Sequence, residues 1–321
     1  MSVFTPQQVD EYLAYIKFPR EQHASDGLER LKQLMKRHTC RFPFETLSLH
    51  YSPHRTVSLD PEALHHKMLV EKRGGFCLEQ NELFGSVLRG LGYKAYPVAG
   101  RSNIRNTWTP LIHMHNIAVI DGKRYYVDVG MGALGPFEPV LLSPSGGQQG
   151  REYVQIWPRR IRIDYRPIQS PSYNSGLPVW ILMSSENDAP ETPWTEVMAF
   201  SDVELMPGDL EMMNYFVSTH PCSYFAQTVL AMRGIMGQSG EVEGIMVLHK
   251  DMVRRSMQST QPETLAKLGT EEQRVRALEK YFDIRLSPVQ QRSIRGFAAE
   301  LKDKLVTGLS VLDDDRKLER L

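Results

Sequence analysis

The stretch "LIHMHNIAVIDGKRYYVDVG", residues 111–130, constrains the chain more than any other, because Asp121-Gly122 stands between two apolar runs. Asp-Gly suits a two-residue hairpin loop, whose backbone twist matches that of the strands it joins. Such a loop sets the register: residue 120 faces 123, and His115 lies across from Asp128 with His113 as the diagonal neighbour. Residues two apart along a strand share a face, and so do residues directly opposite one another. The hairpin therefore puts two imidazoles and a carboxylate on one side of one sheet.

The sequence before the hairpin is helical in texture up to about residue 92. Thr5, Pro6 and Gln8 spell a capping box with Pro at the first helical position, and Phe4 with Val9 makes a hydrophobic staple. Val9, Tyr12, Leu13 and Ile16 follow one helical face, Leu28, Leu31 and Met35 another, and Asp60-Pro61 opens a third helix through Leu64 and Met68. A fourth starts near Cys77, buries Leu83, Phe84, Val87 and Leu88, and ends at Gly92.

From residue 93 short β-branched and aromatic runs take over. Together with "EYVQIW", "RIRIDYR" and "VWILM", the hairpin predicts an antiparallel sheet or small barrel to about residue 205, with "SSENDAPETPW" as a loop. The last third mixes "LEMMNYFVSTHPCSYF", a strand-like "EGIMVLH" and the helix "TEEQRVRALEKYF". The fold class expected is α+β in three units: helical over 1–92, β over 93–205, and a mixed closing unit over 206–321.

Thirty-eight Lys and Arg balance 38 Asp and Glu, which leaves no electrostatic footprint for nucleic acid or an anionic membrane. Three cysteines, Cys40, Cys77 and Cys222, are too few for a disulfide framework and too scattered for a zinc site. Reduced thiols in the cytoplasm are the expectation. The N-terminus lacks the pattern of a signal peptide, and no apolar run reaches the roughly 18 residues that a membrane span needs.

Cys77 sits in "RGGFCLEQN", at the start of a helix. It could be a packing residue, a metal ligand, half of a disulfide or a nucleophile. As a nucleophile it would gain from the positive end of the helix dipole and from an imidazolium held by a carboxylate, since both favour a thiolate. A Cys-His-Asp triad follows as a hypothesis. Gly74 and Gly75 would permit a tight loop and close approach of a substrate to backbone N–H groups, which could steady an oxyanion.

"RGGFCLEQN" closely resembles the nucleophile motif of the arylamine N-acetyltransferases. Three further stretches agree in order and spacing: "FPFETL" at 42–47, "TPLIH" at 109–113 followed by "IDGKRYYVDVG", and "DLEMMNYFVSTHPCSYF" at 209–225. The resemblance implies a helical bundle, a β-barrel and an α/β lid, with the triad where the first two meet. It also implies ping-pong transfer from acyl-CoA to an arylamine, hydroxylamine or hydrazine, without a metal. Residue by residue, it makes Cys77 the nucleophile, His113 the base and Asp128 the orienting carboxylate. Ideal pairing favours His115 opposite Asp128; the family match selects His113.

The resemblance further places Phe44 and Met131 at the acceptor pocket and Thr109, Phe216 and Ser223 near bound CoA. Each of these also fits ordinary packing or turn chemistry. It pairs Glu45 with Arg73 across the loop that holds Cys77. Cys40 and Cys222 read as packing residues and His220 as a solvated loop residue. Acetyl-CoA is the first donor expected, with propionyl- or malonyl-CoA as alternatives; "GRSNIR" at 100–105 offers basic residues to a malonyl carboxylate. The same triad chemistry would serve a papain- or transglutaminase-type enzyme. The third reading is an idle module that binds CoA or a xenobiotic.

Overall fold

A computed structural model describes residues 3–104, 106–132, 135–143, 150–258 and 260–302. Thr5 caps α1 (Pro6–Tyr15) through the reciprocal pair of hydrogen bonds with Gln8 that the sequence spells out. Asp26 caps α2 (Gly27–Arg41) and Asp60 caps α3 (Pro61–His65), each carboxylate accepting from two backbone N–H groups. α4 (Cys77–Gly90) closes on Gly92, whose φ of +86° suits a residue without a Cβ. Val9, Leu13, Leu31, Met35, Phe84 and Val87 share one core.

α4 departs from the amphipathic pattern: Cys77 through Leu88 are buried on every side. Helices cover one flank, and the barrel residues Ala95, Ala118, Val127 and Val129 cover the other. A helix lodged between two layers cannot show a solvent face, so its polar residues have to find partners inside the protein.

The barrel comprises β2 (Lys94–Ile104), β3 (Thr107–Trp108), β4 (His113–Ile120), β5 (Lys123–Val127), β6 (Val140–Leu141), β7 (Tyr153–Val154), β8 (Arg160–Arg166), β9 (Val179–Ser185) and β10 (Thr195–Glu204). All pairings are antiparallel in the order β6-β5-β4-β2-β10-β9-β8-β7, with β3 folded back on β2. The Leu141 N–H donates to the Tyr153 hydroxyl at 3.1 Å, which brings the two edges together and nearly closes the barrel. Val98, Ile117, Tyr126, Ile161, Leu182 and Phe200 fill its interior. The Asp-Gly turn behaves as expected: Asp121 and Gly122 have φ of +50° and +73°, and Ile120 faces Lys123.

Beyond the barrel come α5 (Pro207–Thr219), α6 (Tyr224–Gln227), β11 (Leu230–Met236), β12 (Val242–His249), β13 (Met252–Met257), β14 (Glu263–Lys267), α7 (Glu271–Phe282) and α8 (Pro288–Arg292). The two-residue strand β1 (Phe44–Glu45) joins this second sheet by pairing with β11, so that Phe44 faces Met232. Leu47 and Tyr51 enter the same core as Leu248, Leu278 and Phe282. The segment that follows α2 is thus anchored in the C-terminal sheet. Residues 303–321 of the third expected unit, and Arg105 of "GRSNIR", lie outside the described residues. Among the described residues no helix is long and apolar enough to cross a membrane.

Candidate active site

Cys77 is the first residue of α4 and is 2% exposed. The Phe76 N–H ahead of it donates to Glu79 Oε2 at 3.1 Å, and Glu79 in turn pairs with Lys67. The thiol lies 3.9 Å from the Ile112 carbonyl oxygen, where the chain enters β4. His113, the first residue of β4, bonds through Nε2 to Asp128 Oδ2 at 2.7 Å.

Asp128 is held from every side. The Tyr126 hydroxyl donates to Oδ2 at 2.6 Å, and Asn81 Nδ2 and the Gly130 N–H donate to Oδ1 at 2.9 and 2.8 Å. Asn81 stands one helical turn after Cys77; its Nδ2 also donates to the Met114 carbonyl, and its Oδ1 accepts from the Val129 N–H. A Cβ on Gly130 would sit 2.6 Å from Asn81 Nδ2 and 2.8 Å from Cys77 Cα, so glycine is what lets the Asp128 turn lie against the start of α4.

The hairpin register holds through Asn116 facing Val127, where β5 ends. One step further His115 would have faced Asp128. Instead, Asn81 and the Gly130 N–H turn the carboxylate toward His113, the diagonal neighbour. His115 is fully buried with its ring 4.5 Å from those of both Tyr126 and Phe200, and 6.1 Å from that of His113.

Environment separates the two imidazoles. Burial disfavours the charge on His113, but the Asp128 carboxylate and then Cys77 outweigh it and push His113 up to about 10. His115 pays the same burial without a hydrogen bond in return and is pushed down to about 3. Burial would raise Asp128, yet His113 beside it holds the carboxyl well below the usual carboxylate range.

These shifts carry a stability prediction. His113 holds its proton more tightly in the folded state, so the stability it lends is complete below its ordinary 6.5 and drains away as pH climbs toward 10. Asp128 contributes above its ordinary 3.8 and loses that contribution as pH falls below it. Urea unfolding compared at about pH 6 and about pH 9 should show a loss of stability in the native chain, and a clearly smaller one in His113→Gln.

Glu45 and Arg73 form a buried pair: Oε1 accepts from Nη2 at 2.9 Å and from Nε at 3.1 Å, with side chains 0% and 5% exposed. The role expected for the two glycines is corrected. A Cβ on Gly74 would fall 1.7 Å from the Pro43 carbonyl oxygen and one on Gly75 2.6 Å from Glu79 Oε2, while the Gly75 N–H donates to Pro43. Their small size lets protein, rather than substrate, approach the loop.

Phe44 is buried in one apolar cluster with Cys77, Phe76, Met114, Leu210 and Met213, and its ring meets that of Phe225 edge-on. Met131 packs against the barrel core instead, its sulfur 3.8 Å from the Tyr126 hydroxyl. Thr109 accepts from the Ser102 N–H and donates to the Pro110 carbonyl. Phe216 stacks on the exposed His220, and the buried Ser223 hydroxyl donates to the Val217 carbonyl. Gly100 is the residue facing His113, so Arg101 projects from the opposite face of the sheet. Cys40 is half-buried, but Cys222 is exposed, which corrects its reading as a packing residue. Asn81 and Tyr126 were not singled out from the sequence. The only signal was position: one helical turn after the cysteine for Asn81, and the same strand face as Asp128 for Tyr126.

A cysteine at a helix start and an imidazole bonded to a carboxylate that four donors hold thus lie between helices and a barrel. The chain belongs to the arylamine N-acetyltransferase family: the family model for N-acetyltransferases matches residues 27–291. It is 32% identical to the N-malonyltransferase FDB2 of Fusarium pseudograminearum (strain CS3096), over 91% of this chain and 92% of that one. It is 26% identical to the arylamine N-acetyltransferase of Escherichia coli (strain K12), over 65% of this chain and 68% of that one. The solved arylamine N-acetyltransferase of Mycobacterium abscessus superposes with a TM-score of 0.74 at 25% identity, covering 89% of this chain and 93% of that one. The chain is an N-acyltransferase with an α+β fold.

Proposed function

We propose that the chain transfers an acyl group from acyl-CoA to an arylamine, hydroxylamine or hydrazine by a ping-pong route, with Cys77 as nucleophile, His113 as base and Asp128 as the carboxylate that orients it. The observation that carries this reading is the 2.7 Å hydrogen bond from His113 to Asp128 beside a cysteine that opens a helix. The charge on His113 pairs with a Cys77 thiolate. The sulfur attacks the thioester carbonyl, the tetrahedral oxyanion collapses, and CoA leaves as a thiol carrying the proton from His113 Nδ1, so the acyl-cysteine forms near thermoneutrality and leaves His113 neutral. The neutral amine then attacks the acyl-cysteine, and His113 takes its proton through Nδ1 while Nε2 stays on Asp128.

Malonyl-CoA is the donor we place first, ahead of acetyl- and propionyl-CoA, because the malonyltransferase relative aligns with 91% of the chain. A solved relative from Mycobacterium marinum was obtained in complex with CoA, which supports CoA as the carrier. Phe44 fits the acceptor side of Cys77 through their shared apolar cluster. Met131 is kept there as a second residue, and Thr109, Phe216 and Ser223 as CoA neighbours. Cys77 is 2% exposed and shares its apolar cluster with Leu210, Met213 and Phe225, so acyl-CoA reaches the sulfur only as this cover shifts. Residues 1–92, 93–205 and 206–321 are taken as the working units, and three free thiols favour a reducing cytoplasm.

Intact-mass spectrometry after mixing with acetyl-, propionyl- or malonyl-CoA tests the proposal. One acyl increment, mapped by proteolysis to the Cys77 peptide and discharged by an arylamine, is the expected result. A chain that takes up no acyl group but cleaves peptides or exchanges glutamine amides is a hydrolase or transglutaminase instead.

A further inference from the structure

His115 presents a problem that the transfer chemistry does not solve. It is 0% exposed, and neither ring nitrogen has a hydrogen-bond partner. A buried polar atom left unpaired costs about 1–3 kcal/mol, and a phenylalanine would fill the space between Tyr126 and Phe200 without that cost. Among the described residues, His113, His115 and Asp128 are the cluster whose donor atoms converge: one atom from each lies within 4.8 Å of the others, and all three residues are buried. The Cys77 thiol stands outside that cluster.

We propose that His113, His115 and Asp128 form a binding site for a borderline divalent cation such as Zn2+, and that the bound ion switches the enzyme off. Two imidazole nitrogens and one carboxylate oxygen are a donor set such ions favour, at bond lengths of about 2.0–2.2 Å. Donor atoms on one tetrahedral ion stand roughly 3.5 Å apart, so the widest pair must close by about 1 Å, within reach of small rotations of two imidazoles. Asp128 Oδ1 keeps Asn81 and the Gly130 N–H as outer partners while Oδ2 turns to the metal. One ion then occupies the imidazole that transfer needs, and His115 has its partner. The inhibition rests on the function proposed above; the binding does not.

Co2+ is the probe for binding and Zn2+ for inhibition, both added to the full chain after treatment with chelator. The native protein should take up one Co2+, with the intense visible bands of a tetrahedral site, and Zn2+ should stop acyl transfer until EDTA restores it. In His115→Phe the Zn2+ concentration for half-inhibition, measured against that variant's own chelated rate, should rise at least about tenfold, and the visible bands should weaken. His115→Gln should behave alike and decides the matter should the phenylalanine variant not fold. Absence of those visible bands from the native chain overturns the site. Equal Zn2+ sensitivity in native and His115 variants also overturns it, leaving Cys77 alone as the metal's target. A chelated chain with no acyl transfer, yet an intact Co2+ spectrum, would count against the proposed function and not against the site.

Discussion

Asp128→Asn is expected to slow acylation of Cys77 by about four orders of magnitude, the scale seen when an amide replaces the orienting carboxylate of a nucleophile–histidine pair. The size follows from what the carboxylate does. It accepts from His113, Tyr126, Asn81 and the Gly130 N–H at once, so all its lone pairs are engaged by donors. An amide can keep one oxygen in this nest, but its NH2 then points at a donor. If that NH2 faces His113, Nε2 must become an acceptor and the proton moves to Nδ1, the atom needed as the base. The amide also carries no charge to offset the burial that opposes an imidazolium. Rapid-quench mass spectrometry of acyl loading should therefore show a fall in rate with little change in the acyl-CoA concentration needed for half-saturation. A loss of tenfold or less would make the carboxylate a structural partner only.

The same nest explains what the sequence reveals and what it hides. A two-residue turn is a local object, so Asp121-Gly122 dictates the pairing down to Asn116 and Val127 without help from the rest of the chain. Helix caps at Thr5, Asp26 and Asp60 are local as well. The choice between His113 and His115 is not local. Strand logic extends the ladder one pair too far, and what stops it is Asn81, which reaches over from α4 to hold both Asp128 and the Val129 N–H.

Nothing in "CLEQN" announces that role, because Asn81 looks like any polar helix residue until α4 is known to be buried on all sides. Tyr126 shows the same limit from the strand side: its place on the Asp128 face was readable, but its hydroxyl's aim was not. β1 escapes for another reason. Two residues carry no periodicity, and their partner β11 lies almost 190 positions away (232 − 44 = 188). Gly74 and Gly75 were legible as a tight approach, but the approaching group is the Pro43 carbonyl rather than a ligand. Composition marks a close contact without naming the other party.

β1 also sets up the largest expected effect on stability. Arg73→Met should destabilise the fold by about 3–5 kcal/mol, because it leaves the Glu45 carboxylate buried without its cation. Burial raises Glu45, and the charges of Arg73 and Lys67 more than compensate, keeping its carboxyl below the usual range. Lys67 cannot replace the guanidinium, since its ammonium is already committed to Glu79. Glu45→Gln in the same chain should recover most of the loss: the amide oxygen still accepts from the Leu47 N–H, as Glu45 Oε2 does, and no charge remains to be stranded. The pair joins β1 to the loop that enters Cys77, so the single variant should lose acyl loading at temperatures where most of its helix is retained. Urea titration of the two single variants and the double variant separates the terms. Additive losses would show that the two charges do not depend on each other, whereas a double variant more stable than Arg73→Met identifies the stranded carboxylate as the cause.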